Sequence, residues 1–167
     1  MSAKYSFNNP SWTPVAVADT VAMTANGACF LQGGTATQIQ RITEVYLGGL
    51  ATAAAPTHTV LARDSTVGVT AITLGTNGKL ATFDATTVAA TTPVAGFSAT
   101  TMPQRAATLH LVQLGHNAFG GIVRYVAQNG NEISQVGLSA NTGEISLSAF
   151  TGGTPGLCSS NIIFEVL

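Results

Sequence analysis

Short stretches rich in β-branched residues, each closed by Gly, Pro or Asn, recur along this chain. Nowhere does an apolar pattern of helical period run long enough to build a helix. Residues 38–47, 59–63, 67–74, 108–114, 121–128, 132–138, 144–149 and 161–167 read as strands. The Ala-rich segment 51–55 could supply a helical turn, but Gly48-Gly49 before it and Pro56 after it cut it short. Asn129-Gly130 suits a two-residue hairpin, whose central positions need φ > 0, and Asn141-Thr142-Gly143 suits a short loop with its glycine left-handed. Residues 109–150 are therefore expected to form an antiparallel meander. Residues 85–104 carry no charge and are broken by Pro93, Gly96 and Pro103, so they should be a long connection across a sheet or an arm on a neighbour. The expected fold is all-β: a single antiparallel β-sandwich or jelly-roll-like domain. A chain of 167 residues suits one such domain.

Charge is the next constraint. Only 8% of residues are charged, against roughly 25% in an average domain, and the formal net charge is −1. Six scattered Lys and Arg cannot form a basic patch, so nucleic acid is not an expected partner. A mean hydropathy of +0.34 argues against disorder. Residues 20–40 and 145–164 are uncharged throughout, so Thr, Ser, Gly, Asn and Gln must cover most outward strand positions. Near-zero net charge with few repulsive groups favours association, so either a subunit of an assembly or a sparsely charged monomer fits. The N-terminus lacks an unbroken apolar run, and no stretch is apolar enough to span a membrane as a helix; cytoplasmic synthesis is the simple expectation.

The first twelve residues hold Tyr5, Phe7 and Trp12, interleaved with Asn8, Asn9 and Pro10 and followed by Pro14, a composition that favours extended chain. Residues 1–14 are expected as an extended N-terminal arm and 15–167 as the β-sandwich domain. Tyr5, Phe7 and Trp12 then either grip a partner surface or cap the domain's own core.

Catalytic patterns are sparse. His58, His110 and His116 lack metal-ligand spacing, and Arg63-Asp64-Ser65 lacks a nucleophile elbow. Asp64 reads as a turn cap, and the seven acids are scattered. Tyr46 and Tyr125 stand isolated in strand-like stretches, where core packing is their expected use. The pairs Gly33-Gly34, Gly48-Gly49, Gly120-Gly121 and Gly152-Gly153 have no phosphate-loop context and read as bends or close-packing positions. No enzyme activity, cofactor or metal is expected. Cys29 and Cys158 read as two buried free thiols, with one disulfide as the alternative.

In texture, the Thr/Ala/Gly-rich strands, the run from Gln32 to Gly49, the charge-free loops and the ending Ile162-Ile163-Phe164-Glu165-Val166-Leu167 resemble the capsid decoration (cement) proteins of tailed bacteriophages. That resemblance implies a β-rich virion protein, often a homotrimer, that sits on the capsid exterior and reinforces the major capsid protein lattice. It would make Tyr5, Phe7 and Trp12 the shell or neighbour contact. The alternatives are a β-sandwich binding module, fibre-tip or carbohydrate-binding, and a small viral coat protein. Against the last, Lys4 alone does not make the basic arm of a coat that packages nucleic acid.

Overall fold

In the computed structural model, which describes residues 2–167, the chain forms eleven strands. They are β1 (Ala3–Trp12), β2 (Ala28–Gln32), β3 (Ile39–Gly49), β4 (Pro56–Thr66), β5 (Lys79–Thr82) and β6 (Val94–Gly96), then β7 (Gln104–Asn117), β8 (Ile122–Val126), β9 (Ile133–Val136), β10 (Glu144–Ala149) and β11 (Cys158–Val166). Two antiparallel sheets result. A six-stranded sheet runs β5-β1-β11-β3-β8, with β9 also on β3, and a five-stranded sheet runs β6-β2-β10-β4-β7.

The pairings are nested: β1 with β11, β2 with β10, β3 with β8 and β9, and β4 with β7. The chain is thus one long antiparallel ribbon rolled into a sandwich, which is the jelly-roll order. Successive strands of the ribbon alternate between sheets. The connections β1–β2, β3–β4, β7–β8 and β10–β11 therefore gather at one end of the sandwich. The ribbon's tip is the crossover 67–103, whose β5 and β6 return to close the edges at β1 and β2.

The core lies between the sheets. Alternation on β1 sends Tyr5 and Phe7 inward against β11's Ile162 and Phe164, while β2 and β10 contribute Leu31, Ile145 and Leu147. Tyr5 stacks on Phe164 at 5.6 Å, and Phe97 from the crossover meets both Phe7 and Trp12 edge-on.

Several expectations are corrected. The described part of segment 1–14 is no arm: residues 3–12 form β1, an interior strand hydrogen-bonded on both sides, and Met1 lies outside the described residues. The alternation of Tyr5, Phe7 and Asn9 is the pattern of a strand with one face in a core. The meander over 109–150 is also absent. Asn129-Gly130 does form a turn, with Gly130 at φ 87°. Yet β8 and β9 do not pair with each other; they lie in line along the same edge of β3, with residues 127–132 looping out between them. The chain then crosses at Asn141 (φ 64°) to β10 in the other sheet. Residues 67–74 make only isolated bridges, because Thr70 and Ala71 adopt positive φ and break the extended path.

Candidate functional site

The expected contact residues are interior. Tyr5, Phe7 and Trp12 are 2%, 2% and 5% exposed, so the aromatics cap the domain's own core and offer no surface to a partner. What does reach the surface is the end where the β3–β4, β7–β8 and β10–β11 connections meet. Residues 45–62, 106–123 and 145–164 contain no Asp, Glu, Lys or Arg, and these three blocks supply all three connections. Main-chain hydrogen bonds stitch them together: Ala51 N to Ala118 O at 2.8 Å, Leu50 N to Leu157 O at 2.9 Å, and Thr154 N to Pro56 O at 2.9 Å. Gly49 is required here, since a Cβ on it would stand 2.3 Å from Ala118 O.

Leu50, Phe119, Ile122 and Leu157 are all exposed on these connections or at their strand ends, Ile122 at 82%. A groove of about 420 Å³ opens beside them, lined by His58, His116, Asn117 and Gly153 among others. Burial lowers the His116 pKa, which favours its neutral ring. The β7 edge runs into the same end. Its main chain from Ala106 to His116 has no hydrogen bond, among the described residues, other than those to β4. A long uncharged edge without proline is a template for pairing with another chain.

Charge is concentrated on the sheet faces, and Arg124 shares a face with Ile122, two residues before it on β8. Alternation places Lys4, Arg41, Lys79 and Arg124 on the outer face of the six-stranded sheet. On that face Arg124 lies 4.8 Å over the Tyr46 ring and 2.7 Å from Glu44, which also accepts the Tyr46 hydroxyl. Tyr46 is therefore a surface residue rather than a core one, while Tyr125 packs against the core as expected.

The outer face of the five-stranded sheet is covered by the chain itself. Segment 13–27 lies on it through Val17 N to Ala149 O and is tied to the crossover through Met23 N to Pro103 O and Asn26 N to Phe97 O, while Gly68 and Gly96 of the crossover sit against the Phe30 ring of β2. Beneath this roof runs a buried polar layer. Arg105 is 1% exposed and donates to Asp19 at 2.8 Å, to Ser148 at 2.5 Å, to Ala149 O at 3.2 Å and to Val17 O, with its guanidinium over Phe150. His110 reaches the same Asp19 oxygen at 3.1 Å. Asp19 is a net acid: burial raises its pKa, but hydrogen bonds from Arg105 and His110 outweigh that and hold it below the usual carboxylate range.

Further along the layer, Asp64 and Glu144 come together, both at 0% exposure. Reading Asp64 as a turn cap is thus corrected: its carboxyl accepts from Ser146 at 2.7 Å and meets Glu144. No spacing in the sequence could have revealed this pair, which joins neighbouring strands far apart in the chain. It faces no cleft, and among the described residues no three His, Cys, Asp or Glu gather as a metal-binding group.

Cys29 and Cys158 are free and buried in the core, where loss of solvation raises both thiol pKa values, that of Cys158 to about 12. Comparison with family models, curated proteins and solved structures finds no match.

Proposed function

We propose that the protein is a structural subunit of a virus particle, a decoration protein that binds the outside of an assembled head through the surface built from its three uncharged connections. The observation that carries this reading is the convergence of three uncharged connections on one surface that exposes Leu50, Phe119, Ile122 and Leu157. A monomer gains nothing by exposing such residues together, and burial against a partner recovers about 25 cal/mol per Å² of apolar surface. The absence of charge there removes the desolvation cost that Lys or Glu would impose at an interface core. A ligand that binds only the assembled lattice stabilises it by mass action. The resemblance to cement proteins supplies the kind of partner, the major capsid protein.

The test is co-sedimentation of the purified protein with bare phage heads. Wild type is expected to pellet with the heads, and Ile122→Lys, at a position already open to solvent, is expected to stay folded and remain in the supernatant. Binding by the lysine variant equal to wild type would remove this surface from the reading. The jelly-roll strand order also fits a small coat protein. Closed shells formed by the purified protein alone, seen by electron microscopy, would favour that second reading. A sugar-binding module is less well supported, because the Tyr46 ring is already covered by Arg124.

A further inference from the structure

The acid pair stands under the start of the crossover. Glu144 at the start of β10 accepts the main-chain N–H of Gly68 with both oxygens, at 3.0 and 3.1 Å. Gln32 of β2 clamps the same place, donating to Glu144 and, at 2.6 Å, to Gly68 O. Gly68 is the second residue beyond β4, where the crossover begins, and a Cβ there would stand 2.9 Å from the Phe30 ring. Asp64, two residues before the end of β4, supplies the second carboxyl. Its Oδ2 is buried with no hydrogen-bonding partner, and the β4–β10 register, with Arg63 opposite Ile145, brings the Glu144 carboxyl beside it.

Two carboxyl groups can hydrogen-bond to each other only when one of them keeps a proton. Among the described residues, no cation is hydrogen-bonded to the pair. Arg105 of β7 acts on Asp64 only through its charge, because its donors are committed to Asp19, Ser148, Ala149 and Val17. His110 joins that Asp19 cluster, not the acid pair. From β4, Arg63 turns away to the carbonyls of Ser134 and Thr142. β2 and the crossover contribute only Gln32 and the Gly68 main chain, and β10 adds Ser146.

We propose that Asp64 and Glu144 form a proton-dependent latch: one proton held between them keeps the crossover closed on the five-stranded sheet, and its loss as pH rises frees that crossover. Burial and the Glu144 charge hold the Asp64 carboxyl well above its ordinary value, and burial raises Glu144 as well. A pKa raised in the folded state contributes stability that is complete below the unfolded value and is lost as pH climbs through the folded one. With both carboxylates ionised in a dry layer, repulsion acts on the residue that holds Gly68. The crossover carries β5 and β6, so its release bares the outer edges of β1 and β2. Exposed edges pair with other chains, which couples pH to association. The inference does not depend on the decoration reading.

Amide hydrogen exchange on the full-length protein tests it, with Gly68 as reporter and rates corrected for intrinsic base catalysis. From about pH 5 to about pH 9, protection of residues 68–74, β5 and β6 is expected to fall, by up to tenfold per pH unit while opening releases one proton and levelling off once the closed form has lost it. The amides of β3 and β11 should keep theirs. Asp64→Asn replaces the shared proton with a permanent amide donor and is expected to abolish the pH dependence. Glu144→Gln, which keeps an acceptor for Gly68 and a donor for Asp64, should do the same and decides the matter if the first variant fails to fold. Flat protection in the wild type, or an unchanged slope in a folded variant, would overturn the latch.

Discussion

The outer face of the six-stranded sheet holds most of the chain's cations and meets solvent; that of the five-stranded sheet lies under segment 13–27 and the crossover. Both faces carry an arginine beside a carboxylate and an aromatic ring, yet the settings differ. Arg124 is half exposed, whereas Arg105 is sealed from water with each hydrogen bond directed to a named acceptor. The same chemical pair is therefore a surface ornament on one face and a structural joint on the other, because solvent screens the first and not the second.

The largest expected effect concerns what both faces rest on. Deleting residues 1–12 removes β1 from between β5 and β11 and should abolish cooperative unfolding by circular dichroism. Phe7→Ala alone should cost about 3–5 kcal/mol. A truncated chain that still melted cooperatively would restore the arm and undo the comparison.

Next in size is the contrast between the arginines. Arg105→Ala should destabilise by about 3–5 kcal/mol, since it strands Asp19 and several buried acceptors. Arg124→Ala should cost no more than about 1 kcal/mol. Urea unfolding of the two variants measures both, and equal losses would mean that the roof does not seal its layer.

A smaller effect is a difference of sign. Under the roof, Asp64 and Glu144 have raised pKa values and contribute stability that disappears as pH rises. On the bare face, the hydrogen bond from the Tyr46 hydroxyl, then that from Arg124, lowers the Glu44 pKa. Its contribution is present above its unfolded value and is lost as pH falls through the folded one. Thermal melts across pH should show Glu44→Gln softening only the acid limb and Asp64→Asn flattening only the alkaline one.

The smallest effect lies between the faces. Cys29 and Cys158 should resist a thiol reagent in the native protein and react on unfolding, at a rate set by opening of the sandwich. Fast native labelling would mean that the core opens readily on one side.

Strand positions were largely readable because period-two alternation is a local property: 38–47, 144–149 and 161–167 correspond closely to β3, β10 and β11. Strand β2 went unread because Ala28–Gln32 is buried on both faces and shows no alternation. At Asn129-Gly130 the turn was readable from its residues, but the partner of the strands flanking it was not. The uncharged blocks were visible as blocks, without a sign that three of them would meet.

By itself, then, the order of residues determined an all-β chain, sparse in charge, with no long helical pattern. Tertiary structure alone decided that Tyr5, Phe7 and Trp12 turn inward, that Asp64 meets Glu144, and that one sheet is roofed while the other is bare. The physical reason is that pleat and turn geometry are set by neighbours in sequence. Which strands pair, and therefore which side chains share a buried layer, is set by contacts that nothing in local spacing encodes.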